Sequence, residues 1–478
     1  MIYLLVVYLL TRDFRKSLFL AYLASWPLRI GKTYEIPLIS PNELINTDRA
    51  FGISEFIVIS IREIFIVIMF LVLLRDLVLK KLKTFKLDWI SIFLFLNFLF
   101  LVLSSIFGSL RPEISLTLSL FALEPLILYL FLKNCLVKKK ILFPSLAIFT
   151  SMIIVVSFLA TLQFIKKGTL GLSIEISHEF LPLSLGIDEN IFVFRPLATF
   201  YHANELAQFL LPYLFIFLPS LFLVLKKLNK VLAMSFVFGF WVFLLTLGRA
   251  AWLSFLIGFL IWLFILEKRW GLRLKIKKQF LKLGLRILPL FLLILIGFVF
   301  PRLINTFNSF QIYGGAYTRW ELVKDSLKTI NQFPLFGVGL GMDVFYSFQQ
   351  SLEKLVFSGV SVNNENLYLL QQYLIKSAPS VFSYFPEAVH NGFLYLFSQV
   401  GFIAFAVFLT TCTLLLRQFF LAIKKTKIII HKAILLSVSL GIISLFFNNL
   451  FQAFIPNLQE IVFLTILFTS QEELKQLA

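Results

Sequence analysis

Charged residues are scarce in this chain: only 14% of its 478 residues are Asp, Glu, Lys or Arg, whereas 59% are hydrophobic. A soluble domain cannot bury that much apolar side-chain surface, so the composition indicates a polytopic membrane protein. Cysteine is also scarce, and Cys135 and Cys412 fall at or within apolar runs, so no disulfide framework is implied. Residues 1–10 lack a basic start and a small-residue cleavage site, and we therefore predict no signal peptide.

Two further features are missing. The first predicted external loop offers Glu35, Glu43 and Asp48 but no closely spaced acidic pair that would hold a divalent ion together with a diphosphate. We therefore predict no metal site. The sequence also has no tandem repeat, and its two halves do not resemble one another, which disfavours a transporter built from inverted repeats.

The apolar runs predict an all-α fold with about 12 transmembrane helices and one long structured external loop, since a spanning helix needs roughly 20 apolar residues. The predicted spans are residues 17–30, 54–75, 89–110, 114–133, 142–164, 200–225, 231–248, 251–266, 284–300, 389–416, 433–450 and 459–470. We divide the chain into an N-terminal transmembrane bundle (1–300), the external loop (301–389) and C-terminal transmembrane helices (390–478).

Charge predicts the orientation of these helices. One set of connections, together with the C-terminus, carries 29 of the 44 basic residues but only 6 of the 25 acidic residues. The positive-inside rule places that set in the cytoplasm and the long loop outside. Because the basic residues lie in short loops beside membrane ends, they indicate contact with membrane lipids and no binding of nucleic acid.

The external loop carries signs of folded structure. Thr318 and Glu321 fit a capping box, with Thr318 as the N-cap. Behind it, helical spacing predicts one apolar helix face, formed by Trp320, Val323, Leu327 and Ile330. Residues 334–341 (PLFGVGLG) then supply a glycine-rich turn.

Three ionisable residues are predicted to lie in mid-span: Arg62, Glu63 and Glu124. An ionised group at a helix centre costs roughly 2.5–3.5 kcal/mol on insertion scales. The residues therefore either pair to hold helices together or line a path for a lipid or glycan. The sequence leaves both interpretations open.

The candidate site lies at the outward-facing ends of the predicted helices. Arg195, Arg249 and Arg319 all fall there, and arginine binds phosphate oxygens bidentately. Arg319 is also predicted at a helix N-terminus, which favours an anion. His390 opens a span at the same side and can take a proton from a hydroxyl near neutral pH. We therefore predict a diphosphate leaving group held by arginines and a sugar hydroxyl activated by His390.

Two neighbouring residues are weaker candidates at the same site. Asn391 follows His390 directly and could orient its ring or a sugar. His202 fits a supporting or donor-binding role.

Four segments carry a resemblance to the O-antigen ligase superfamily. They are residues 195–205 (with the pattern R-x-x-x-T-F-x-H-x-N), residues 246–253 (TLGRAAWL), residues 318–320 (TRW) followed by 334–341, and residues 390–394 (HNGFL) followed by Gly401. The resemblance implies a metal-independent membrane transferase, without a cofactor, that acts on glycans linked to undecaprenyl diphosphate outside the bacterial cytoplasmic membrane. It also implies that Arg249 and Arg319 clamp the diphosphate and that His390 is the catalytic residue.

The superfamily leaves the acceptor open. Its members include lipopolysaccharide ligases, polysaccharide polymerases and protein O-oligosaccharyltransferases, so a lipid, a growing glycan and a protein all remain candidates. The expected function is a surface-polysaccharide ligase or polymerase. A flippase or transporter of lipid-linked oligosaccharide is the alternative from another class, and its charges should line a central cavity.

Overall fold

The structure is a computed structural model that describes residues 12–27, 31–37, 54–79, 86–109, 112–136, 141–172, 183–184, 192–200, 202–222, 229–269, 315–342, 391–452 and 457–469. Within these ranges the chain is mainly helical, as predicted. The helices are α1 (Phe14–Ser25), α2 (Ile61–Val78), α3 (Trp89–Phe107), α4 (Pro112–Leu120), α5 (Leu123–Phe131), α6 (Leu142–Lys166), α7 (Ala203–Phe217), α8 (Pro219–Phe222), α9 (Asn229–Leu245), α10 (Arg249–Phe264), α11 (Gly315–Gln332), α12 (Gly392–Lys425), α13 (Ile429–Asn449) and α14 (Leu458–Thr469).

Six stretches of the described residues are long and apolar enough to cross a membrane. They are Trp89–Phe107, Pro112–Leu136, Leu142–Lys166, Arg249–Glu267, Gly392–Lys425 and Ile429–Asn449. Three shorter apolar helices are Ala203–Phe217, Lys230–Leu245 and Leu458–Thr469. These elements coincide with predicted spans, whereas the span predicted at 284–300 lies outside the described residues.

One predicted span begins as a strand. Ser54–Ser60 forms β2, which pairs antiparallel with β1 (Gly31–Pro37). The span predicted at 54–75 is therefore wrong over its first seven residues, because a short apolar run does not distinguish a strand from a buried helix. A second antiparallel pair joins β3 (Leu183–Ser184) to β4 (Phe192–Val193). The all-α prediction holds for the bundle but not for these two pairs.

Helix α13 lies at the centre of the bundle, where it packs against α7 and α10. Pro219 has no backbone N–H, so it cannot donate to the carbonyl of Phe215 in α7. Ser437 of α13 donates its hydroxyl to that carbonyl at 2.5 Å instead. On the α10 side, Ser444 donates to the carbonyl of Ser254 at 3.1 Å, and Gly258 leaves room for this close approach.

One end of the bundle, which we call the basic end, is held by ion pairs. Arg15 at the start of α1 lies 2.6 Å from the carboxylate of Asp76 near the end of α2. Lys133, at the end of the α5 segment, contacts Asp88, the N-cap of α3. These contacts join the ends of four helices, because each pair connects the start of one helix to the end of another.

The glycine-rich turn at 334–341 is inserted at a break in α12. Gly401 has φ 72° and ψ −179° there. In an unbroken helix the N–H of Phe402 would donate to the carbonyl of Ser398. Here Phe402 donates to the carbonyl of Pro334 at 2.7 Å, while the carbonyl of Ser398 accepts from Val338 at 3.1 Å. The turn thus supplies both backbone partners that the break removes.

Helix α3 also contacts the glycine-rich turn. Ser104 donates its hydroxyl to the carbonyl of Phe336 at 2.5 Å. A Cβ on Gly108 would lie 2.9 Å from the same carbonyl oxygen, so glycine permits the close approach. The segment predicted to follow the loop helix therefore docks onto two helices of the bundle.

Candidate functional site

Four predicted site residues have described side chains: Arg195, His202, Arg249 and Asn391. Arg319 lies in α11 with only its backbone described, and His390 lies outside the described residues. The four described residues lie at the bundle end opposite the basic end, which we call the site end.

Arg195 connects several segments at the site end through hydrogen bonds. Its Nε donates to the carbonyl of Thr246 at 2.5 Å, and one terminal nitrogen donates to Oδ1 of Asn204 at 2.5 Å. Asn204 in turn donates to Oε1 of Gln452 at 2.9 Å. Arg195 therefore joins the start of α7, the end of α9 and the segment after α13. Two of its nitrogens are used within the protein, which the sequence did not indicate.

A tight turn places Arg249 beside this centre. Leu247 has φ 51°, a left-handed conformation that is uncommon for a residue with a side chain. Gly248 follows, and a Cβ there would lie 3.0 Å from the Cβ of Ala207 in α7. Arg249 is the first residue of α10 and is exposed. It is the third residue after Thr246, whose carbonyl accepts from Arg195.

Gln163, at the end of α6, is a positioning residue that sequence reasoning missed. Its Oε1 accepts from the backbone N–H of Leu197 at 3.1 Å and of Ala198 at 2.7 Å. Its Nε2 donates to the carbonyl of Ala198 at 3.0 Å. The side chain is buried and fixes the left-handed backbone of Ala198, φ 51°. The only sequence signal was a glutamine in the last turn of an apolar span.

His202 caps α7. Its Nδ1 accepts from the backbone N–H of Asn204 at 3.0 Å. This bond requires the tautomer in which Nδ1 carries no proton. The imidazole is exposed and lies two residues from Asn204, the partner of Arg195. His202 therefore helps to fix the start of α7, next to the hydrogen bonds of Arg195.

Asn391 caps α12 in the same way. Its Oδ1 accepts from the backbone N–H groups of Phe393 and Leu394, each at 3.1 Å. The ring of Phe393 stacks on Phe446 of α13 with centroids 6.2 Å apart. The start of α12, which follows residue 390 directly, is thereby packed against the site end of α13.

The structure corrects two predictions about the loop helix. α11 begins at Gly315, three residues before Thr318, so Thr318 is inside the helix and does not cap it. Arg319 is the fifth residue of α11 and not at its N-terminus, which removes the helix-end argument for anion binding there.

The packed face of α11 also differs from the predicted apolar face. Trp320 and Leu327 are exposed by 51% and 49%, whereas Ser326 and Thr329 are buried. Ser326 donates to the carbonyl of Leu394 in α12 at 3.4 Å. The helix therefore docks through small polar side chains near the start of α12.

Two of the three ionisable residues, Arg62 and Glu124, contact another segment of the bundle. Arg62 lies 2.7 Å from Glu63, and both lie in the first turn of α2 and not in mid-span as predicted. The guanidinium of Arg62 also stacks 5.0 Å above the Trp26 ring. Glu124, which is mid-span, accepts from Gln459 of α14. These contacts agree with the interpretation that the residues hold helices together.

The described part of the chain shows no group of three or more His, Cys, Asp or Glu arranged to hold a metal ion. The site end instead presents permanently charged guanidinium groups beside amide and imidazole side chains. Such groups can bind an anion through charge-assisted hydrogen bonds.

Comparison with known proteins supports a family assignment. Residues 234–409 match the family model described as O-antigen ligase, whereas no curated protein matches the chain. The matched region holds Arg249, Arg319, the glycine-rich turn and His390, and it excludes Arg195 and His202. This region of the chain, which spans several of the predicted site residues, is therefore similar to the O-antigen ligase family.

Proposed function

We propose that the protein transfers a glycan from undecaprenyl diphosphate to an acceptor hydroxyl on the outer side of the bacterial cytoplasmic membrane. The observation that carries this proposal is the convergence at the site end. Arg195 joins Thr246 and Asn204 through two hydrogen bonds, which places the Arg249 turn beside the start of α7. The similarity to the O-antigen ligase family supports the reaction class, and this convergence supports a donor site at this end of the bundle.

Arg249 and Arg319 bind the diphosphate in this proposal. Arg249 is exposed at the first turn of α10, where the helix dipole also favours a negative charge. Arg195 is bound to Thr246 and Asn204, so we assign it mainly to positioning the Arg249 turn. Arg319 retains its predicted role through its charge, without the contribution of a helix end.

His390 acts as the general base. The acceptor oxygen forms a bond to the anomeric carbon of the donor sugar while the bond from that carbon to the diphosphate oxygen breaks. His390 takes the hydroxyl proton, and undecaprenyl diphosphate leaves with the bonding electron pair. Asn391 caps α12 and thereby fixes the backbone that follows the base. His202 supports the donor site from the start of α7.

Charge on the diphosphate is balanced by arginine, and we therefore propose a reaction without a metal ion or other cofactor. The excess of basic residues on the opposite connections supports an outward-facing site end. The acceptor is a lipid, a growing glycan or a protein. We favour a surface-polysaccharide ligase or polymerase over a protein O-oligosaccharyltransferase.

The competing function is a flippase or transporter of lipid-linked oligosaccharide. A flippase would need its cations along a path between both membrane faces. Arg195 and Arg249 instead lie within one hydrogen-bonded end of the bundle, which favours the transferase.

The decisive experiment is a transfer assay with purified protein, lipid-linked glycan and candidate acceptors, followed by mass spectrometry of the product. We expect a product that carries the glycan, formed equally in the presence of EDTA. Movement of lipid-linked glycan across vesicles without any covalent product would support the flippase. Loss of transfer on chelation, restored by Mg²⁺, would overturn the metal-independent mechanism.

A further inference from the structure

Two buried asparagines end helix α13 at the site end. Asn448 and Asn449 are 1% and 0% exposed. Among the described residues, Nδ2 of Asn448 and both Nδ2 and Oδ1 of Asn449 have no hydrogen-bond partner. Buried amides are almost always paired, because an unpaired one loses its bonds to water without replacement. Burial of these unpaired amides therefore destabilises the folded state, and packing among the described residues does not explain why they are buried.

The helix register places Asn448 toward the arginines. Residues four apart lie on the same helix face, and Ser444 bonds to Ser254 of α10 at 3.1 Å. Because α10 and α13 run in opposite directions, Asn448 lies one turn closer than Ser444 to Arg249 at the start of α10. Gln452, the partner of Asn204, follows four residues later.

Asn449 lies on the neighbouring face, toward α12. It is one turn beyond Phe446, which stacks on Phe393 in the first turn of α12. Asn391 is the N-cap of α12, and the residue before it in the sequence is His390, the proposed base. Asn449 is thus placed between the arginine side of the site end and the side that leads to the base. A sugar joined to a diphosphate must occupy that interval during transfer.

The chemistry of the unpaired atoms identifies the ligand. A phosphate oxygen only accepts hydrogen bonds, so it would satisfy Nδ2 of Asn449 and leave Oδ1 unpaired. A sugar hydroxyl both donates and accepts, so adjacent hydroxyls satisfy both atoms of the amide. Because Asn449 is fully covered in this structure, contact with a sugar requires the site end to open.

We infer that Asn449 binds hydroxyl groups of the donor glycan next to the diphosphate, and that it is a specificity-determining residue of this protein. The inference rests on the proposed function, since it needs a lipid-linked glycan at the site end. Asn449 pairs with the sugar only when the donor is bound, which accounts for its unpaired amide here.

The test compares two probes on the purified full-length protein. One probe is undecaprenyl diphosphate without sugar, and the other is the lipid-linked glycan purified from cells that lack this protein. Asn449→Leu keeps the branched side-chain shape but removes both polar atoms. We expect it to weaken binding of the lipid-linked glycan about tenfold, as loss of two hydrogen bonds implies. We expect binding of sugar-free undecaprenyl diphosphate to be unchanged.

Stability provides a second readout, because removal of an unpaired buried amide does not destabilise a protein. Asn449→Leu should melt at or above the wild-type temperature while it binds the glycan donor less tightly. Asn449→Ala provides the same binding test if leucine does not fit. His431→Leu is the matched control: His431 lies on α13 at the basic end, is buried, and its Nε2 also lacks a partner in the described residues. It should alter neither affinity.

The outcomes separate the inference from the proposed function. If the wild type binds neither probe, the proposed function fails and the inference fails with it. If the wild type binds both, and both Asn449 variants bind the glycan donor as tightly as the wild type, only the inference is overturned. If an Asn449 variant lost affinity equally for both probes, Asn449 would act on the diphosphate or on the fold. That result would overturn the assignment of Asn449 to the sugar.

Discussion

Gly401 of α12 is in direct contact with the backbone of Leu335 and Phe336 in the glycine-rich turn. A Cβ at Gly401 would lie 2.5 Å from the backbone nitrogen of Phe336 and closer still to the carbonyl of Leu335. The backbone at Gly401, with φ 72° and ψ −179°, is one that essentially only glycine adopts. One residue thus permits both the break in α12 and the docking of the turn.

We expect Gly401→Ala to lower the melting temperature and to reduce transfer strongly. The unfavourable backbone alone costs on the order of 1–3 kcal/mol, and the overlap with Leu335 adds to it. Gly168→Ala is the control, because a Cβ at Gly168 would meet no atom within 4 Å. If Gly401→Ala melted at the wild-type temperature, the break in α12 would not be required for stability.

Arg195 and Arg249 should respond differently to replacement by lysine. Lysine at 195 cannot reproduce the two bonds to Thr246 and Asn204, so we expect a loss of stability of about 1–3 kcal/mol. Arg249 is exposed, so Arg249→Lys should melt like the wild type, yet transfer should fall because lysine lacks the bidentate fork. Near wild-type transfer by a combined Arg249→Lys and Arg319→Lys variant would remove the proposed diphosphate clamp.

His390→Ala should fold and bind the lipid-linked donor, while transfer falls by about 10²- to 10⁴-fold, the usual contribution of a general base. His390→Asn and His390→Gln test the alternative that the residue only caps or anchors a helix. Both keep a polar side chain, but neither takes up a proton at neutral pH. Transfer at close to the native rate in either variant would exclude His390 as the base, and His202 would be the next candidate.

The proposed orientation predicts which positions an impermeant thiol reagent reaches in intact cells. A cysteine replacing Ser358 should react, and one replacing Lys424, near the end of α12, should not. The native Cys135 and Cys412 are only 6% and 3% exposed, so background labelling should be low. Labelling at 424 but not at 358 would invert the topology and place the site end in the cytoplasm.

Asp88 predicts a pH dependence of stability at the basic end. Burial raises the pKa of Asp88, but hydrogen bonds from Lys133, Tyr129 and the Ser91 backbone outweigh burial and hold the pKa below its ordinary value of 3.8. Because folding lowers this pKa, the ionised carboxylate stabilises the folded state above pH 3.8. That stabilisation is lost as the pH falls through the lower pKa that Asp88 has in the folded protein.

Asp88→Asn isolates this charge, since asparagine also caps a helix. We expect the variant to melt below the wild type at pH 7, with the difference shrinking as pH falls below about 4. Melting temperatures measured across this range provide the check. A constant difference down to pH 3 would show that the ionised carboxylate does not contribute.

The positions of most described helices followed from the sequence, because apolar runs of membrane length have few alternative structures in a bilayer. The capping box failed because its pattern is local, whereas α11 extends three residues further back. The packed face of α11 was missed because the small polar residue Ser326 meets α12, whereas Trp320 and Leu327 are exposed. Small polar residues pack well between membrane helices, and apolar periodicity does not detect them.

The candidate site could be located in the sequence but not assembled from it. Arg195, Arg249 and Asn391 were identified from their residue types and their positions at span ends. The bond from Arg195 to Thr246 joins residues 51 positions apart, and Gln163 reaches the backbone of Leu197 and Ala198 across 34 and 35 positions. Contacts of this kind depend on how helices pack, which no single segment encodes.

The central position of α13 has a consequence for biogenesis. Of the six candidate spans it is the most buried, yet it is synthesised after α7 and α10. Until α13 leaves the ribosome, the carbonyl of Phe215 lacks the hydroxyl of Ser437, and the groove beside Gly258 stays unfilled. Assembly of the site end must therefore wait for α13, and a chain that terminates before α13 would insert its earlier helices without ever forming the site.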